Sequence, residues 1–197
     1  MRANEVVNEI ELIGDVEFPQ SAAQARLMLA APVRPFSGHL TVYYYAEDSV
    51  RLLFLADQEK NVAAIAFFMS SKNDQVWQAK NAAAYPPYRG QRLVAELYKI
   101  AKVDFKKSIQ SDFEQTTAGM RLWTQTLPSI GLSPRVYDHS TDRVIDPSTQ
   151  KVNVYPAFDD PDVHRYSWII ERNDYYPAQN LVENTLLLPT TGKWAAR

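Results

Sequence analysis

The residues best placed to do chemistry are Pro86-Pro87-Tyr88-Arg89-Gly90-Gln91 and the helical run behind them, Arg92-Leu93-Val94-Ala95-Glu96-Leu97-Tyr98-Lys99. Two prolines stop a strand, because proline donates no ladder hydrogen bond. An Arg-Gly turn follows, and an amphipathic helix then begins. The free N–H groups of such a helix start suit an anion such as a pyrophosphate. Arg89 is either a phosphate ligand or a solvated cation. Arg92 offers a guanidinium that grips a phosphate, faces water, or pairs with Glu96 one turn on. Tyr85 and Tyr88 flank the turn, where they either cover a ligand or pack on the fold's edge. The three histidines, His39, His139 and His164, show no ligand spacing. His139 sits with Asp138 and Asp142 in a turn, a weak metal-like cluster, and no metal is expected. There is no Gly-x-Ser-x-Gly elbow and no Walker loop.

The rest of the chain must position these groups. Its 197 residues are 46% hydrophobic, enough for one domain with a real core. Cysteine is absent, which excludes disulfides, zinc-thiolate sites and a cysteine nucleophile and fits a reducing cytosol. A net charge of −2 without a basic run argues against nucleic acid as a partner. The early acidic residues are unlike a secretory signal, and no apolar run reaches the length of a membrane span. A soluble protein of the cytoplasm is expected.

Residues 1–17 alternate weakly, and a short helix is not separable from a strand there. A helix is expected over 20–31, with Phe18, Ala22, Ala25 and Leu29 as its apolar stripe and Pro32 as its stop. Strands are expected at Leu40 to Tyr45, Ser49 to Ala56, Val62 to Met69 and Gln75 to Tyr85, the second and third forming a hairpin. Tyr43-Tyr44-Tyr45 puts its middle ring on the opposite face from its neighbours. A helix from Gly90 to Lys106 buries Leu93, Leu97, Ile100 and Ala101. Ser108 to Ser111 is a short internal strand. Ser111 with Glu114, or Asp112 with Gln115, fits a capping box for a helix ending near Leu127, with Phe113, Met120, Trp123 and Leu127 inward and Pro128 and Gly131 closing it. A hairpin of Arg135 to Tyr137 and Arg143 to Ile145 follows, then a loop over Asn153 to Val163 and a strand over Arg165 to Glu171. The fold class is α/β (α+β), with antiparallel strands early and a β-α-β step in the middle.

This layout, with Pro86-x-Tyr88-Arg89-Gly90-Gln91, resembles the GNAT superfamily of acyl-CoA-dependent N-acyltransferases. The family loop has Arg or Gln, two free positions, Gly, one free position, then Gly or Ala. Arg89 is the leading basic residue. Arg92 and Val94 stand at the two small positions, where glycine lets backbone N–H groups approach phosphate oxygens without a Cβ in the way. A second stretch, Ser108-Ile109-Gln110-Ser111-Asp112 with Gln115, Leu122-Trp123 and Gly131-Leu132, is similar to the fifth strand and following helix of phage-encoded members. Where the family often has a tyrosine to reprotonate the thiolate, this chain has Leu122 and Trp123.

The resemblance implies a single GNAT-like domain with a mixed, mostly antiparallel central sheet flanked by helices. Its core covers about 40–171, with the helix at 20–31 in front and an extension at 172–197 behind. It implies acetyl-CoA as acyl donor, its pyrophosphate held by Arg89, Gly90, Gln91 and Arg92, and its thioester carbonyl polarised by a backbone N–H at Ala83 or Ala84. Asp112 is then the base for the amine, unless it is only a helix N-cap. Trp123 reads as core. A rival reading keeps the fold as a scaffold that binds a bacterial host protein through surface residues such as Tyr43, Tyr175, Tyr176 and Trp194. A phage protein of this kind would work in the host bacterial cytoplasm.

Overall fold

Runs of β-branched and aromatic residues recur between short polar turns, and they fold as consecutive strands. The computed structural model describes residues 20–57, 60–70, 73–113, 116–146, 154 and 164–172. The expectations for 1–17, for most of the loop at 153–163, and for Glu114, Gln115, Tyr175, Tyr176 and Trp194 lie outside these. The described chain falls into two compact units. One comprises the residues up to Phe68 with Lys80–Leu97, and the other Met69–Ala79 with the residues from Tyr98 onward.

In the first unit, helix α1 (Gln20–Leu27) precedes β1 (Ala31–Ser37), β2 (Leu40–Glu47), β3 (Val50–Asp57) and β4 (Lys60–Ser70). Neighbouring strands pair antiparallel from β1 through β4. The hairpin expected from the second and third strands is therefore present as β3 and β4. Asp48 and Gly38 take positive φ in the first two connections, as tight hairpin turns require.

The expected helix over 20–31 is shorter than its sequence suggested. It stops at Leu27, and Ala31 opens a strand. Pro32 does not end a helix but pairs with Tyr43 inside β1. An edge strand tolerates proline because one side of its ladder needs no donor. Register shifts follow Pro32 and Pro35. The buried apolar residues of α1 are Ala23 and Leu27, one turn apart, whereas Ala25 and Leu29 are exposed. An alanine-rich run gives little directional signal, so the expected stripe positions Ala25 and Leu29 lie on the exposed side. Ala23, Leu27, Leu52, Phe54, Ala56 and Tyr85 form a core cluster, with Tyr43 and Tyr45 packed against it. Tyr43 is thus half-buried and not the free surface group that was expected.

Strand β5 (Asn73–Ala84) and helix α2 (Leu93–Val103) contribute to both units. Leu93, Leu97, Ile100 and Ala101 are buried along α2 as their spacing predicted. The helix ends at Val103 rather than Lys106, which takes φ +53.

In the second unit, β6 (Ser108–Gln110) pairs parallel with β5, Val76–Gln78 against Ser108–Gln110. A parallel neighbour needs a crossover, and α2 supplies it. Strands β7 (Arg135–Asp138) and β8 (Arg143–Ile145) make the expected hairpin. Strand β9 (Tyr166–Ile170) then pairs antiparallel with both β6 and β7. The expected mixed and mostly antiparallel sheet is what forms.

Helix α3 (Thr117–Arg121) continues through a π-helical turn (Leu122–Thr126) into α4 (Leu127–Ser129). Pro128 carries no N–H, so the regular i→i−4 ladder cannot continue through it. Gly131 N–H donates to the Pro128 carbonyl at 3.1 Å, and Leu132 N–H to that of Leu127 at 3.1 Å. Gly131 has φ +84, so this is a Schellman closure with glycine at the left-handed position. Trp123 is 2% exposed, with its ring edge-on to Tyr98 at 5.3 Å. Phe113 precedes the helix and is not part of its inward stripe.

Trp123→Ala should lower unfolding free energy by about 3–5 kcal/mol in a denaturant titration, the range for removing a large buried side chain. Gly131→Ala should cost about 1 kcal/mol, the strain of a Cβ in the left-handed region.

Candidate functional site

The proline turn lies wholly in the first unit. Tyr88 N–H donates to the Tyr85 carbonyl at 2.8 Å across a cis Pro86–Pro87 peptide. Tyr85 is buried in the core cluster, so it packs rather than covers a ligand. Tyr88 is half-buried, and its hydroxyl reaches Asp57 Oδ2 at 3.4 Å. Ala83 and Ala84 end β5, both half-buried. Arg89 Nε donates back to the Ala84 carbonyl at 3.2 Å, which turns this cation onto the strand end.

Gly90, Gln91 and Arg92 are exposed and lie outside the helix, which begins at Leu93 instead of Gly90. Gly90 at φ +82 and Arg92 at φ +60 cannot continue a right-handed helix. Arg92 acts as the cap: its carbonyl accepts the Glu96 N–H at 3.1 Å. Arginine is not an N-cap former, since it has no side-chain oxygen to serve the first turn. The N–H groups of Leu93, Val94 and Ala95 therefore have no intrahelical acceptor. A positive φ at Arg92 costs roughly 1–2 kcal/mol for a residue with a Cβ. Glycine would remove that cost, which gives a physical reason for glycine at this position of the loop.

Asp112 lies in the second unit, just past β6. It is not the N-cap: Thr116 is, its Oγ1 accepting the Gly119 N–H at 3.2 Å. Asp112 is half-buried, and its Oδ1 accepts the N–H of Phe113 at 2.9 Å. Ser111 beside it extends the β6–β9 pairing. Its N–H donates to the Trp168 carbonyl at 2.8 Å, and its Oγ accepts the Trp168 N–H at 3.0 Å.

The sequence reading missed the polar groups gathered where β6, β7 and β9 meet. Buried Asp138 is held by Arg165, Nε to Oδ1 at 3.2 Å and Nη2 to Oδ2 at 3.1 Å. Ser140 adds its N–H at 2.9 Å and its hydroxyl at 2.7 Å, both to Oδ1. Burial alone would raise the Asp138 carboxyl, but the hydrogen bonds from Arg165 and Ser140 outweigh it and hold the group well below the ordinary carboxylate range. Among the described residues no group of three or more His, Asp or Glu side chains could hold a metal ion. Asp138-His139-Ser140 is an Asx turn legible in sequence. Its partner Arg165 was not, because 27 residues separate them.

No protein-family profile matches this chain, and no curated protein does. Among solved structures, it is similar to the ribosomal-protein-S18-alanine N-acetyltransferase from Escherichia coli. Identity is 17%, over 64% of this chain and 68% of that one, with a TM-score of 0.35. At that score the likeness assigns neither activity nor residue roles here. Among the described residues no helix is long and apolar enough to cross a membrane.

Asp138→Asn should cost about 2 kcal/mol in urea unfolding, the loss of charged hydrogen bonds to Arg165 and Ser140. Because the folded carboxyl is depressed, its stabilisation is present above about pH 4 and is lost as pH falls toward the lowered folded value. The asparagine variant should lose that part of the acid dependence.

Proposed function

We propose that this protein is a GNAT-type N-acyltransferase acting on an amine. The observation that carries the reading is Arg92 at φ +60, immediately before a helix. Arg92 stands where the acyl-CoA loop it resembles has glycine, and it takes a left-handed conformation that glycine adopts without strain. The parallel β5–α2–β6 crossover also supports it. So does the pairing of β5 with β6, which extends only over Val76–Gln78 although β5 runs on to Ala84.

The chemistry of the donor set fits a diphosphate. Three first-turn N–H groups, those of Leu93, Val94 and Ala95, point out of the helix start, where the helix dipole favours negative charge. Gln91 and Arg92 are exposed beside them, and Arg89 adds a second cation. When bound, acetyl-CoA supplies an activated acyl group. The chain's own contribution is to hold the diphosphate at this helix start and to offer backbone N–H groups at Ala83 or Ala84 to a carbonyl. Asp112 is the carboxylate past β6 that this reading makes available to an amine proton. A phage origin and a host cytoplasm as the place of action rest on the sequence resemblance, and a host protein as partner belongs to the rival scaffold reading.

Titration calorimetry with acetyl-CoA tests the reading, and measurable heat with a raised melting temperature is expected. No heat and no shift at millimolar ligand would overturn it and leave the scaffold reading. Arg92→Gly separates two roles. If the guanidinium grips phosphate, affinity should fall roughly tenfold or more, the scale of one charged hydrogen bond. If its bulk obstructs, affinity should rise. Stability should change by under about 1 kcal/mol, because relief of the left-handed strain is offset by the greater unfolded-state freedom of glycine.

A further inference from the structure

A cavity of about 300 Å³ opens at the C-terminal end of α2, lined among the described residues by Lys102, Val103, Lys106 and Arg172. All four belong to the second unit. Three of them are cations, and no acidic side chain joins them in the lining. The volume is at the small end of the range for small-molecule sites.

Two of the cations follow from local rules. Lysines near a helix C-terminus are favoured by its exposed carbonyls and by the negative end of its dipole. Lys102 stands in the last turn of α2, and Lys106 comes just after it. Arg172 has no such explanation, because it arrives from two residues past β9. Its backbone N–H donates to Ser108 Oγ at 2.9 Å, and its Nη1 donates to Gln75 Oε1 at 2.9 Å. Ser108 is fully buried and Gln75 is 4% exposed, so both anchors are fixed in the unit's interior. A buried amide thus orients the guanidinium. Its Nε and Nη2 make no hydrogen bond with the described residues.

Lys106 is placed by the backbone. It takes φ +53, and the N–H of Lys107 behind it donates to the Ala101 carbonyl at 3.2 Å, which closes the helix end. Glycine or asparagine is the ordinary choice for a left-handed position there. Lysine keeps the turn at a cost in strain and adds a charge. The Lys106 ammonium makes no ion pair or hydrogen bond with the described residues, whereas that of Lys107 lies over the Trp77 ring, 5.4 Å from its centroid.

We propose that this cavity binds a small phosphate-bearing ligand, a phosphate monoester or a diphosphate, held by Lys102, Lys106 and Arg172. The lining selects that class. Three like charges around one void repel one another, and an anion with close to two negative charges relieves this more than a singly charged carboxylate does. Nε and Nη2 form one edge of the Arg172 guanidinium, a pair of donors that meets two phosphate oxygens at once. The lysines add point charges around it. Val103, 57% exposed, offers an apolar wall to the organic part of an ester. The site does not depend on the acyl-transfer reading, whose proline turn and helix start belong to the first unit.

The test is a titration of the full chain with inorganic phosphate, followed by amide NMR at fixed ionic strength so that screening stays constant. Saturable shifts at Lys106, Lys107 and Arg172 are expected, with a Kd at or below about 1 mM and with acetate binding far more weakly. Phenyl phosphate should bind at least as well as phosphate. Arg172→Gln should weaken phosphate about tenfold or more, the scale of charge-assisted hydrogen bonds. Lys106→Gly should also weaken it, yet leave the melting temperature nearly unchanged, because relief of strain offsets the unfolded-state freedom of glycine. That variant separates loss of a ligand group from loss of fold. Shifts that grow linearly with phosphate and match those given by chloride would overturn the proposal, as would unchanged affinity in both variants. Capture on vesicles of anionic phospholipid, with no response to phosphate or phenyl phosphate in solution, would overturn it too, since the charge would then serve a membrane surface.

Discussion

The second unit depends on one pairing: β9 lies between β6 and β7 and runs antiparallel to both. The strand arrives from far along the chain, so its docking closes long loops at an entropic cost that local structure cannot recover. Buried Ile169 and Ile170 offset that cost by leaving water, and two serines fix the register. Ser111 accepts the Trp168 N–H, and Ser108 accepts that of Arg172 at 2.9 Å. Both serines are fully buried, so neither hydroxyl could be left without a partner. A slip of one residue would turn Ile169 and Ser167 together to the other face and undo both bonds.

The polar chemistry of the unit follows from that register. Pairing Tyr137 with Ser167 and Asp138 with Tyr166 brings Arg165 onto the Asp138 carboxylate and Ser167 onto His139. The Asp138–Arg165 pair works as a structural clamp. Its carboxylate is buried, doubly hydrogen-bonded to a partly exposed Arg165 and supported by Ser140, so its worth lies in fixing the turn that carries His139.

The first unit is organised by a different constraint, the conformation of one residue. Arg92 in the left-handed region lets the chain leave the proline turn and enter α2 at once. The turn rests on Tyr85, whose ring is part of the core beside Phe54 and Leu52. A helix start preceded by an arginine, which has no side-chain oxygen to cap it, and backed by a buried aromatic is a rigid place to present N–H groups.

Much of this was legible in the residues themselves. The buried stripe of α2, the hairpin of β7 and β8, the core position of Trp123 and the closure at Gly131 all follow from local periodicity and turn chemistry, which act over a few residues. The mistaken extent of α1 and the misassigned cap at Asp112 show where local rules compete. Pro32 reads equally well as a helix stop or as an edge-strand residue, and only its pairing with Tyr43 decides. Thr116 rather than Asp112 caps, and Ser111 beside Asp112 remains bound to β9. What the sequence determined was the set of elements and the unusual Arg92. What the tertiary structure decided was that Gln110, His139 and Ser167 meet, since long-range strand register sets which distant side chains become neighbours and no short-range preference encodes it.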